Sequence, residues 1–97
     1  MISIEYASPA EGEHILTVSG HAEYAEAGKD IVCAGVSALV YGAAGALEKR
    51  RVGFVFRDEE EVTLHVRGGG EFEEGVFSAV CTGLEQIAEN YPDFVTF

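Results

Sequence analysis

The chain reads as an α+β domain, a two-layer sandwich in which two helices pack on one face of a sheet, with the element order ββαββα. Three observations predict this. Apolar residues alternate with polar ones near the N-terminus and again at mid-chain, the period of a half-buried strand. They fall at helical spacing in two longer segments, and clusters of Gly, Pro and acidic residues stand between the segments. Each amphipathic element must bury its apolar side against another, which two hairpins and two helices achieve as stacked layers. With 97 residues there is material for one core, so residues 1–97 form a single domain without an internal linker.

In order, Ile2, Ile4 and Tyr6 alternate with Ser3 and Glu5, and after the turn-forming stretch 8–12 the segment 15–19 is extended again. These form a first hairpin. From residue 31 to about 47, Val32, Val36, Leu39, Val40, Ala43 and Leu47 fall at helical spacing, and the basic residues Lys49, Arg50 and Arg51 suit the negative end of the helix dipole. Val52, Phe54 and Phe56, then Val62, Leu64 and Val66, predict a second hairpin, its turn being the solvated acidic run 58–61. Beyond Gly68, Gly69 and Gly70, the residues Phe72, Val76, Phe77, Val80, Leu84, Ile87 and Tyr91 trace a second helix that must stop near Pro92. The repeated ββα order hints at an internal repeat, although the halves share no special residues.

Charge restricts the partners. Six Lys and Arg against seventeen Asp and Glu give a net charge of −11, which repels a phosphate backbone and favours a basic partner over nucleic acid. The same acidity also serves plain solubility. The N-terminus lacks a basic region followed by a long apolar run, and no other segment reads as membrane-spanning, so a cytoplasmic protein is expected. Two cysteines without a C-x-x-C pair give no zinc framework and are expected as free thiols.

Several chemistries are excluded by inspection. The triple glycine precedes a helix, but Glu71, Glu73 and Glu74 oppose a phosphate there, so it is a turn and not a nucleotide loop. Ser37 lies in G-x-S without the second Gly and inside a helix, which argues against a serine hydrolase elbow. His14, His21 and His65 have no i,i+4 partner, so no metal site is expected.

The stretch 20–39 remains. Asp30 is the candidate N-cap of the helix that opens at Ile31, its carboxylate accepting free backbone N–H groups of the first turn, which puts Cys33 at the third helical position. A thiol at a helix start ionises more readily than one in a core, and the thiolate is the nucleophile. The Asp30 charge partly offsets this, so a neighbouring base is needed. His21, at the end of the second strand, can supply it, because closing a loop of about ten residues costs little. A thiolate and an imidazolium within reach of each other provide an attacking sulfur and an acid for the leaving amine, the minimum apparatus of a cysteine protease. Backbone N–H groups near the helix start are candidate oxyanion donors. The polar stretch 23–29, with Gly28 near its end, suits a flap over a bound peptide. From the residues alone, a packing Cys and a surface His are the favoured reading over a catalytic pair.

The arrangement Gly20-His21-Ala22, then Gly28, then Asp30-Ile31-Val32-Cys33-Ala34 and Val36-Ser37-Ala38-Leu39 closely resembles the ribosomal-processing cysteine protease (Prp) family. The distinctive residues lie in the first half; the second half resembles the family in pattern only. The resemblance implies His21 as the catalytic histidine and Cys33 as the nucleophile, without a cofactor and in a homodimer. It further implies an endopeptidase of ribosome maturation that removes an N-terminal extension from the twenty-seventh large-subunit ribosomal protein, a basic precursor suited to an acidic enzyme.

The other polar candidates have simpler roles. Cys81, between Val80 and Leu84, is expected as a core thiol. His65, with Thr63 and Arg67 opposite the apolar face, is expected at the surface, and His14 in a turn without a role. Capping explains Asp30 better than orienting His21 does, and Gly20 is either a hinge or a strand end. The alternative function is a noncatalytic acidic module that binds a basic ribosomal protein during assembly.

Overall fold

The computed structural model describes residues 1–26, 29–50 and 52–97. Gly28, assigned to the flap, and Arg51, assigned to the helix end, lie outside them. Among the described residues the elements are β1 (Ile2–Ala7), β2 (His14–Gly20), α1 (Ile31–Arg50), β3 (Phe54–Asp58), β4 (Glu61–Val66), α2 (Glu71–Asn90) and β5 (Val95–Thr96). They make one sheet in the order β3-β4-β2-β1-β5, antiparallel except for the β1–β5 pair.

The predicted two-layer arrangement is present. In β1, β2 and β4 the alternation sends Ile2, Ile4, Leu16, Val18, Leu64 and Val66 to the face covered by the helices. There they share one core with Val32, Val36, Val40 and Leu47 of α1 and Phe77, Val80 and Leu84 of α2. Leu16, at the middle of the sheet, has no exposed surface. The opposite face, with Ser3, Thr17, Thr63 and His65, is uncovered by any described element. α1 has a mean hydropathy of 1.6 and is long and apolar enough, by length and composition, to cross a membrane, which corrects the sequence reading that no segment reaches that threshold. In this fold one of its faces packs into the core.

Several boundaries differ from expectation for local physical reasons. His14 is a strand residue. The first turn closes one position earlier, because the Glu13 N–H donates to the Ala10 carbonyl (3.0 Å) and the Ser8 hydroxyl to the Glu13 carbonyl (2.6 Å), so β2 opens with His14 opposite Val66. The acidic run 58–61 is only partly a turn: Asp58 ends β3, Glu61 starts β4, and Asp58 accepts the Tyr41 hydroxyl at 2.7 Å. β3 starts at Phe54 because the preceding Gly53 adopts a φ of +37°. α1 extends past Leu47 to Arg50, whose guanidinium reaches back to α2.

The fifth strand is absent from the expected ββαββα order. Past Pro92, the Phe94 and Val95 N–H groups both donate to the Tyr91 carbonyl (3.0 Å each), forming a turn that lays Val95–Thr96 beside Ile2–Ser3. The Ile2 N–H closes the junction on the Phe94 carbonyl at 2.8 Å. Two residues are too few to display an alternation, which is why the pattern of apolar residues gave no sign of them.

Candidate active site

β2 ends at Gly20 with a φ of +85°, a conformation open to glycine and strained for any other residue. A Cβ here would also run into the Met1 carbonyl oxygen, so Gly20 is required where β1 and the end of β2 meet. The chain leaves the sheet with His21 exposed, turns through the buried Ala22 and reaches Glu23, which adopts a left-handed φ of +55°. After the loop the chain enters α1 through Asp30, and Cys33 follows at the third helical position, half-buried.

Asp30 has the capping geometry predicted for it, with an added contact. Oδ1 accepts the Cys33 N–H at 2.9 Å, and Oδ2 accepts the Tyr24 N–H at 3.1 Å. One carboxylate thus ties the loop after His21 to the first turn of α1. The Cys33 N–H bond is the main cause that holds the Asp30 carboxyl below its ordinary value, and the Tyr24 N–H acts in the same direction. This bond changes one expectation. The Cys33 N–H already has its acceptor and the Ala34 N–H donates to the Asp30 carbonyl at 3.0 Å, so these two groups at the helix start are not free oxyanion donors.

His21 and Cys33, predicted from sequence as a pair, line the same open cleft of about 540 Å³, with Asp30, Ala34 and Ser37 on its walls. No hydrogen bond joins His21 to Cys33 among the described residues. A narrower cavity of about 210 Å³ also begins at these two residues and runs between α1 and the sheet, past Val36 and Val40, to Tyr41 and Asp58. The Tyr41 hydroxyl bond to Asp58, with partial burial, keeps the phenol above its ordinary pKa. Among the described residues, no three His, Cys, Asp or Glu side chains converge on a point that could hold a metal ion.

The remaining candidates fall elsewhere. Cys81 is buried in α2, and burial pushes its thiol up to about 11, as suits a core thiol. His14 lies with Tyr6 and Phe77 at the end of β2 opposite His21: its Nδ1 shares a 2.7 Å hydrogen bond with the Tyr6 hydroxyl, and its ring stacks on Phe77 at 4.7 Å. The expected turn histidine without a role is thus a packed residue, only 6% exposed. His65 is on the open face of the sheet as expected, but it is engaged there. Its Nε2 lies 2.7 Å from the Glu13 carboxylate, and this bond is the main cause that lowers the Glu13 pKa.

Sequence reasoning missed two groups. Glu73, counted among the charges opposing a phosphate, is buried and accepts the Gly70 N–H at 2.9 Å, closing the start of α2, while Arg50 approaches its other oxygen at 3.4 Å. The signal was the spacing of an acidic residue three positions after a helix start. Tyr24 was treated as part of a polar loop, whereas its ring packs against Tyr91 and Phe94.

The family model described as "Cysteine protease Prp" matches residues 1–96. The ribosomal processing cysteine protease Prp of Mycoplasma pneumoniae is 34% identical over 90 residues, covering 87% of this chain and 85% of that protein. The protein of the same name from Mycoplasma genitalium is 30% identical over 84 residues, covering 86% and 85%. Among solved structures, the essential ribosomal processing protease Prp of S. aureus, in complex with a covalently linked product peptide, superposes with a TM-score of 0.84. That match covers 99% of this chain and 96% of the other at 24% identity, and it shows the shared fold. With a family model spanning almost every residue and a relative matched over most of both chains, the chain belongs to the cysteine protease Prp family.

Proposed function

We infer that this protein is the endopeptidase that removes an N-terminal extension from the twenty-seventh large-subunit ribosomal protein in the cytoplasm, with Cys33 as nucleophile and His21 as general acid and base. Membership of the family makes it a cysteine protease of ribosomal processing. The observation that carries the residue assignment is that His21 and Cys33, from either side of the loop, line one open cleft, with Cys33 in the first turn of a long helix. Apo cysteine and histidine sites are often loose and tighten when substrate binds.

In this reading the Cys33 sulfur attacks the scissile carbonyl carbon and a C–S bond forms. As the C–N bond breaks, the His21 imidazolium gives its proton to the leaving amine, and a thioester remains on Cys33. His21, now neutral, takes a proton from water, whose oxygen attacks the thioester carbon; the C–S bond breaks, the Cys33 thiolate leaves, and the new carboxyl terminus is released. The chain's own side chains suffice for these steps, and no cofactor enters them. The net charge of −11 supports a basic precursor as substrate and argues against direct binding of nucleic acid or an anionic membrane. The homodimer belongs to the same reading, and sedimentation at micromolar concentration tests it.

Incubation with the extended precursor, followed by mass analysis of the fragments, tests the function. Wild-type protein should give two products and Cys33→Ala none, with the fold of the variant intact by circular dichroism. Cleavage by Cys33→Ala at the wild-type rate would overturn the assignment. Tight binding of the precursor by wild-type protein without any cleavage would instead identify an assembly module.

A further inference from the structure

The loop that carries His21 is held at its far side by an aromatic ring that lines neither cavity. Tyr24 packs edge-on against Tyr91, with ring centroids 5.5 Å apart at 87°, and against Phe94, at 5.2 Å and 78°. Such crossed arrangements set the positive edge of one ring against the negative face of another and therefore prefer a particular orientation. Tyr24 is nevertheless 41% exposed, too open to count as a core residue.

The receiving rings are themselves fixed. The Tyr91 N–H donates to the Ile87 carbonyl at 2.8 Å at the end of α2, and the Phe94 carbonyl accepts the Ile2 N–H at 2.8 Å. Ile2 is also the residue opposite Gly20 in the β1–β2 register. The two ends of the segment from Gly20 to Tyr24 are thus tied to the same residue of β1, one through strand pairing and the other through the aromatic contact. His21 sits between them, one residue from Gly20.

We propose that Tyr24 is a positioning residue: its ring, docked against Tyr91 and Phe94, holds His21 over the cleft beside Cys33, so that the C-terminal turn sets the reactivity of the thiol. The proposal rests on the reading of His21 and Cys33 as base and nucleophile. Among the described residues no hydrogen bond engages the Tyr24 hydroxyl. The ring alone therefore makes the dock, and phenylalanine should replace it.

The test is the rate of Cys33 alkylation by iodoacetamide in the full chain, resolved by peptide mass mapping from about pH 5 to 9, which spans the imidazole and thiol ranges. His21→Ala should lose the reactivity that wild-type protein keeps at the acidic end. Tyr24→Ala should show the same altered profile, with a rate near pH 6 reduced roughly tenfold, whereas Tyr24→Phe should follow wild type. Tyr91→Leu and Phe94→Leu, which remove the receiving rings and leave the loop sequence intact, should reproduce the Tyr24→Ala profile. Where His21→Ala differs from wild type, a wild-type profile in Tyr24→Ala, or in both receiver variants if Tyr24→Ala does not fold, overturns the positioning role alone. If His21→Ala itself matches wild type, the catalytic pair is wrong and the proposal falls with it.

Discussion

Asp30 and Cys33 are joined through the backbone: the Asp30 carboxylate accepts the Cys33 N–H at 2.9 Å while its second oxygen accepts the Tyr24 N–H at 3.1 Å. The acid therefore fixes the first turn of α1 and the loop to one another without touching the thiol. Replacing it with alanine frees both N–H groups and should lower the melting temperature. The pH dependence has a definite sign. Because folding lowers the Asp30 pKa, its contribution is fully present above the ordinary value of 3.8 and is lost as pH falls through the lower folded value. The melting temperatures of wild type and Asp30→Ala should therefore be furthest apart near neutrality and converge as the pH falls through the lowered Asp30 pKa. A constant difference across that range would contradict the assignment.

The two thiols should differ sharply in reactivity. Burial places the Cys81 thiol at about 11, so at neutral pH it remains protonated within α2. Iodoacetamide at neutral pH should label Cys33 and leave Cys81 unmodified until denaturant is added, as peptide mass mapping would record. Equal labelling of Cys81 in the folded protein would mean that α2 opens readily.

Glu73 joins the two helices at the end of the fold away from the cleft. Its carboxylate accepts the Gly70 N–H at 2.9 Å and meets Arg50, whose guanidinium lies 4.7 Å from the centre of the Phe72 ring. Alanine at this position leaves the Gly70 N–H and an arginine without their charged acceptor, and should cost about 1–3 kcal/mol in urea unfolding. Activity of the remaining folded protein should be unchanged.

The central strand gives the strongest packing test. Leu16 is fully buried between neighbours from β1 and β4, and Leu16→Ala should destabilise the fold by about 2–5 kcal/mol through lost contacts and a residual cavity. Val55, on edge strand β3, is 50% exposed, and Val55→Ala should stay within about 0.5 kcal/mol of wild type. Urea midpoints compare the two.

The parts of this fold that were legible in the sequence are those whose signal repeats. Phe77, Val80 and Leu84 mark α2 because several turns share one buried face, and β1, β2 and β4 show because their inward residues alternate. Asp30 and Cys33 were legible because capping is a local rule that spans three residues. His14 was misplaced because the turn that frees it depends on hydrogen bonds from Ser8 and Glu13, which composition does not reveal. β5 and the Tyr24 dock depend on contacts between residues far apart in the chain. The Tyr24 ring meets Tyr91 and Phe94 only after the sheet has brought both termini together, so nothing near Tyr24 in the sequence announces it.

The assignment of Cys33 as the attacking atom is tested most directly by catching the thioester. Wild-type protein mixed with the extended precursor, quenched in acid within a fraction of a turnover and weighed intact, should gain the mass of the N-terminal fragment, and mapping should locate it on Cys33. His21→Ala should accumulate far less of the adduct, and Cys33→Ala none. An adduct on another residue, or efficient cleavage with no adduct at any time and undiminished activity in Cys33→Ala, would contradict the account.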